Sequence, residues 1–176
     1  MLIKPAYETD AVWDTIRTSQ PLGLWWIGSQ LKQRGHEVRL LDETVRNGGL
    51  RKKVLFQREV VGSTIEDRVL DTSYDQFQTQ KMHDFNELTP EEFVIKYSAF
   101  QDKRIVRTMV RTGNPIEETL YEVAAMNPDF VGIPIFASCN YQAAIDLAKS
   151  IKEHFPEVKI VIGGQHVTAL SQEVSQ

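Results

Sequence analysis

The chain has 176 residues, 41% of them hydrophobic and 25% charged, with a formal net charge of -4. That length suits one domain with a real core, and so mild an acidity gives no bulk attraction to nucleic acid or to an anionic membrane. Its single cysteine, Cys139, excludes an intrachain disulfide framework and a multi-cysteine metal site within this chain. No apolar run is long enough to span a bilayer and no signal-peptide pattern opens the chain, so a cytoplasmic protein is expected.

Leu2 to Ala6 predicts a short strand interrupted by Pro5, and Glu8 to Gln20 reads as a loop. Pro21 opens a helix, where its missing N–H costs nothing. Leu24, Ile27, Gly28 and Leu31 follow the i, i+3, i+4, i+7 spacing of a buried face, and Gly35 closes the helix as a left-handed cap. His36 to Asp42 is the second predicted strand, with a carboxylate at its carboxyl end.

From 44 to 113 the pattern is mixed. Asn47-Gly48-Gly49 and Gly62-Ser63-Thr64 read as turns, and Thr89 with Glu92 forms a capping box for a helix. Two or three helices fit between Ser63 and Arg111, so this stretch reads as a helical insertion packed on the core. It is too polar for a core of its own and too apolar for a disordered linker.

Regular alternation returns at Asn114, read as the cap of a helix with Pro115 at its first position and Ile116, Leu120, Val123 and Ala124 on one face. Asp129 to Phe136 predicts a buried strand. Asn140 to Phe155 predicts a helix with Ala144, Leu147, Ala148 and Ile151 inward and Lys149, Lys152 and His154 near its negative end. Val158 to Ile162 predicts a further strand, followed by Gly163-Gly164. The order β-α-β-(insert)-α-β-α-β implies a parallel sheet. The expected fold is α/β, a doubly wound (flavodoxin-like or Rossmann-like) parallel sheet with helices on both faces, plus a helical insertion after strand 2. One domain over 1–176 is expected, its core at 1–43 and 114–176. Such sheets usually carry a fifth strand, so the chain reads as a domain of a longer polypeptide.

Ligands of open parallel sheets sit beyond the carboxyl ends of the strands. Five runs along the chain are distinctive: Pro21 to Leu24, Leu31 to Val38, Leu41-Asp42, Pro128 to Ile133, and Val161 to Thr168. Together they resemble the N-terminal cobalamin (vitamin B12)-binding domain of B12-dependent radical S-adenosylmethionine enzymes, over roughly 1–43 and 114–176. The wider B12-binding family carries DxHxxG after the first strand, SxL after the third and GG after the fourth. Here Pro134, Ile135 and Phe136 stand where SxL would be, and Gly163-Gly164 is the GG pair, at the family's usual spacing. DxHxxG is absent: Thr18 to Gly23 holds no histidine. That departure fits the radical enzymes, which often bind cobalamin with no histidine beneath the cobalt.

The resemblance implies a cofactor site at Gln20, Pro21, Leu22, Gly23, Asp42, Pro134, Ile135, Phe136, Ser138, Asn140, Gly163, Gly164, Gln165, His166 and Thr168. The two glycines would let backbone approach the nucleotide tail without a Cβ, or would form only a tight turn. Pro134, Ile135 and Phe136 would be an apolar shelf for the corrin, or packing at a sheet edge. Asn140 reads first as a helix cap and second as an amide contact. His166 follows the fourth strand, so a loop-ordering role is expected before cobalt ligation. Thr168 reads as a tail contact or a helix start. Asp42 stands where Rossmann domains hold a ribose, yet without G-x-G-x-x-G a dinucleotide site is not expected.

The resemblance further implies cobalamin as the cofactor, with S-adenosylmethionine and a [4Fe-4S] cluster only in a radical domain elsewhere in the same polypeptide, and methyl transfer as the parent reaction. With one cysteine, this chain is expected to bind and not to catalyse. Two alternatives stay open: a flavodoxin-like FMN or nucleotide-binding domain, and a B12-fold interaction module that has lost its cofactor.

Overall fold

The computed structural model describes residues 1–11, 21–45, 53–101, 104–136, 138–164 and 167, with backbone alone for 94, 97–101, 104, 138 and 139. In chain order the elements are β1 (Leu2–Lys4), β2 (Tyr7–Asp10), α1 (Leu22–Gln33), β3 (Leu40–Asp42), β4 (Lys53–Val61), β5 (Thr64–Val69), α2 (Tyr74–Glu87), α3 (Pro90–Tyr97), β6 (Ser98–Gln101), β7 (Arg104–Thr112), α4 (Ile116–Met126), β8 (Phe130–Pro134), α5 (Ser138–His154) and β9 (Lys159–Gly163). They fall into two compact units. The first is Met1–Tyr7, Arg17–Lys52 and Thr112–Gln176; the second is Glu8–Ile16 and Lys53–Arg111.

The first unit is α/β. Its four strands are parallel, in the order β3-β1-β8-β9. Leu2 pairs with Leu40 on one side and Gly132 on the other, and Gly132 pairs with Val161, so one row of residues crosses the whole sheet. Neighbouring residues of a strand point to opposite faces. Leu2 lies against Gly28 of α1, while Ile3, Val131 and Ile133 join Val123 of α4 and Ala144, Leu147 and Ile151 of α5 in one buried cluster. Helices therefore lie on both faces, with Phe130 and Val161 left exposed on the α1 side. Each fully buried Leu or Ile contributes about 1.5–3 kcal/mol, so α5, with Leu147 and Ile151 inward, anchors its face far more firmly than α1, which buries only Leu24 and Gly28.

Several local expectations are corrected. Ile27 is exposed, and of α1 only Leu24 and Gly28 are buried. Tyr7–Asp10 is a strand, not a loop. Pro115, not Asn114, occupies the cap of α4, and the Asn114 N–H donates instead to Glu43 O at 2.9 Å. Thr119 takes the buried place expected of Ala124. Asn127 ends α4 in the left-handed region at φ 46°, a conformation asparagine tolerates better than most residues.

The inserted stretch is not purely helical. The second unit holds a sheet in the order β2-β7-β4-β5, with β6 also on β7, and its β4–β5 and β6–β7 pairs run antiparallel. Gly62, at φ +61°, makes the β4–β5 turn read at Gly62-Ser63-Thr64, of which Thr64 already belongs to β5. The alternation was masked in the sequence because β5 is exposed at every position, so no apolar face marks it. Ala11, Leu55, Phe77, Phe93 and Val110 close a cluster of their own, which composition had argued against. The two helices do form. α2 starts with a reciprocal Ser73–Gln76 capping box, and α3 with the expected Thr89–Glu92 pair. Asn47-Gly48-Gly49 lies outside the described residues.

Candidate functional site

The strand order reverses between β1 and β8: the chain passes from β1 to β3 on one side, then resumes with β8 and β9 on the other. Connections leaving two such strands diverge, which opens a crevice at their carboxyl ends. Lys4, Asp42, Pro134 and Gly163, the last residues of the four strands, surround that rim.

Asp42 is held from within. Its Oδ1 accepts from the Thr44 N–H at 3.0 Å and the Thr44 hydroxyl at 2.6 Å, and its Oδ2 accepts from Lys4 Nζ at 3.1 Å. Lys4 Nζ also donates to Thr44 Oγ1 at 3.0 Å. The carboxylate expected to meet a ligand is thus half of an internal ion pair.

Glu43, next in the chain, is 1% exposed. Its Oε2 accepts from the Ala6 N–H at 2.6 Å and its Oε1 from the Thr119 hydroxyl. One carboxylate therefore ties the connection after β1, the end of β3 and the first turns of α4. Gly113 completes this corner: a Cβ there would lie 2.4 Å from Ala6 Cβ.

The two glycines differ sharply. Gly164 has φ +117°, and a Cβ on it would sit 2.5 Å from Ile135 O. Its smallness serves the chain's own backbone, as the tight-turn alternative has it, and the residue stays exposed. Around Gly163 nothing lies within 4 Å of an added Cβ, and its carbonyl accepts from the Ile135 N–H at 2.7 Å. Of the three shelf residues, Ile135 is fully buried in the α4/α5 cluster and offers no surface, Pro134 is half-buried, and Phe136 is 71% exposed. The alternation of an extended chain explains this: Ile133 and Ile135 point one way, Pro134 and Phe136 the other.

Pro21, at the cap of α1, provides no side-chain hydrogen bond to the first turn, which also lacks an acidic residue. Leu22 is exposed and a Cβ on Gly23 would meet nothing within 4 Å. Asn140 is not a cap; it is the third residue of α5, which starts at Ser138. Gln20, Gln165, His166 and Thr168 lie outside the described residues, as does the side chain of Ser138.

The rim thus gathers Pro21, Leu22, Gly23, Pro134, Phe136, Gly163 and Gly164 as accessible positions and withdraws Ile135. Sequence reasoning missed Lys4, Glu43 and Thr119. A lysine at a strand end and an acid beside another acid carry no pattern, and the Thr119–Glu43 bond spans 76 positions. Among the described residues no group of three or more His, Cys, Asp or Glu side chains could hold a metal ion, and no helix is long and apolar enough to cross a membrane. Comparison with protein-family models, curated proteins and solved structures gives no match for this chain.

Proposed function

We propose that this chain is a cobalamin-binding domain of flavodoxin-like, doubly wound topology, the corrinoid module of a B12-dependent radical S-adenosylmethionine enzyme. The observation that carries the reading is the order β3-β1-β8-β9. Numbered within the parallel sheet alone it is 2-1-3-4, the beginning of the flavodoxin-like order, whose ligands sit at the switch between the first and third strands. Part of the sequence resemblance, Pro21 to Leu24, Leu41-Asp42 and Gly163-Gly164, falls at the same strand ends.

The accessible rim residues fit such a group. Phe136 and Pro134 offer apolar surface to a flat macrocycle, and Gly163 lets a bulky tail pass close to the backbone. The first turn of α1, with no side-chain cap, presents N–H donors of the kind that suit a phosphate. When bound, cobalamin supplies a cobalt centre able to carry a methyl group. The residues of this chain bind and orient it; S-adenosylmethionine and the [4Fe-4S] cluster would belong to a radical domain in cis, and the methyl transfer to the whole protein.

A second reading, a B12-fold interaction module without cofactor, draws on the internal pairing of Asp42 with Lys4 and Thr44 and on the packing of Gly164 against Ile135. One experiment separates the two. The protein is mixed with hydroxocobalamin, desalted and scanned in the visible range. Retained, shifted corrin bands support the proposal, absence of uptake supports the module, and flavin absorbance in the purified protein would replace both.

A further inference from the structure

We propose that β5 is a self-association edge: two copies of this chain pair β5 to β5, antiparallel, about a two-fold axis at Asp67.

β5 ends its sheet and, among the described residues, pairs only with β4. It contains no proline, lysine or glycine, residues that often blunt or weaken an edge strand. Leu70, next in the chain, donates its N–H to Leu55 O at 2.9 Å. Each residue of an antiparallel strand sends its N–H and C=O to one side, and the sides alternate along the chain. Thr64, Glu66 and Arg68 therefore turn theirs toward β4, as Leu70 does, and Ile65, Asp67 and Val69 turn theirs outward. The whole strand is exposed, Ile65 at 54% and Val69 at 68%.

The order of side chains selects the occupant. With a second copy centred on Asp67, Ile65 lies opposite Val69 of that copy, and Glu66 lies opposite its Arg68. A two-fold axis repeats both matches. The Glu66–Arg68 positions form non-hydrogen-bonded pairs, in which side chains come closest, and opposite charges there attract. Within each hairpin Val60 pairs with Ile65 and Phe56 with Val69. The junction therefore joins Val60 and Ile65 to Val69 and Phe56 of the second copy in one apolar row.

Asp67 meets its like on the axis. Its carboxylate is already held within its own hairpin by Arg58, whose Nε donates to Oδ1 at 2.9 Å and whose Nη2 donates to Oδ2 at 2.7 Å. Other centres lose the match. A centre on Glu66 sets that carboxylate against its copy while Glu59 lies opposite it in the hairpin, and a centre on Arg68 brings two guanidinium groups together. A strand of another protein would satisfy the backbone edge equally, but the apolar and charged positions call for the order that this chain itself carries. Pairing of a single strand edge lies at the small end of protein interfaces, below about 1,200 Å², so the association is weak and depends on concentration.

The test uses the full, isotope-labelled chain. Amide exchange at Ile65, Asp67 and Val69 should be fast in dilute solution and slow about threefold or more as the protein approaches about 1 mM. Glu66→Arg and Arg68→Glu, both at exposed positions, should each weaken self-association about tenfold in sedimentation equilibrium. An equimolar mixture of the two variants should recover it, because each then faces the charge that its own copy lacks. Exchange at the three amides that is independent of concentration overturns the proposal. So do single variants that associate as tightly as the parent. A mixture that associates no better than its components overturns it as well.

Discussion

The Cβ that Gly164 lacks would lie 2.5 Å from the carbonyl oxygen of Ile135, and Gly164 sits at φ +117°. Both facts exclude any larger side chain without movement of the β8–β9 connection. Gly164→Ala should therefore cost about 1–3 kcal/mol of stability, read in a urea melt, whether or not a corrinoid is present. An unchanged melt would refute the close approach.

Gly163 should behave in the opposite way. With open space around its missing Cβ, Gly163→Val should leave the melt within about 0.5 kcal/mol of the parent and reduce cobalamin retention after desalting. Full retention would remove Gly163 from the site.

Phe136 provides a cleaner probe of the apolar shelf, because its ring contributes little to the core. Phe136→Asp should shift the melt by less than about 0.5 kcal/mol and lower corrinoid affinity about tenfold, the loss of roughly 1.4 kcal/mol of contact. Spectral titration with hydroxocobalamin reads the second effect directly.

Glu43 is a prediction about the scaffold. Glu43→Ala leaves the Ala6 N–H and the Thr119 hydroxyl without their acceptor in a buried corner. The expected loss is about 1–3 kcal/mol, measured by denaturant unfolding, and a change below about 0.5 kcal/mol would show that the two donors find other partners.

The start of α3 gives a pH prediction. The backbone N–H of Thr89, and secondarily its hydroxyl, donate to the Glu92 carboxylate and hold its pKa below the ordinary 4.5. A carboxylate depressed in the folded state stabilises the fold above its unfolded value, and that support is lost as pH falls through the lower folded value. In a carboxyl NMR titration Glu92 should have a midpoint below 4.5, and Thr89→Ala, which removes the hydroxyl and leaves the backbone donor, should raise it part of the way. A Glu92 midpoint at or above 4.5 in the parent protein would exclude the cap as its cause.

The parallel sheet was legible because its helices bury one stripe each: Ala144, Leu147, Ala148 and Ile151 repeat at helical spacing and all four are buried. Glycine and proline punctuation gave the ends of α1 and α4. The hairpin of β4 and β5 escaped because its second strand is exposed throughout and shows no apolar alternation. Within the site, alternation settled what composition could not. Pro134, Ile135 and Phe136 look alike as an apolar triplet, but Ile135 belongs to the core and Phe136 to the rim. The roles of Lys4 and Glu43 depend on pairings across strands and helices that only the folded chain defines.

Every passage of the chain between its two units falls in the connection from a strand to the next helix: β1 to α1 for Glu8–Ile16, β3 to α4 for Lys53–Arg111. No rung of the parallel ladder is cut by either excursion. Lengthening such a connection costs only logarithmically in closure entropy, so evolution can enlarge, trim or exchange the second unit while inheriting the parallel framework intact.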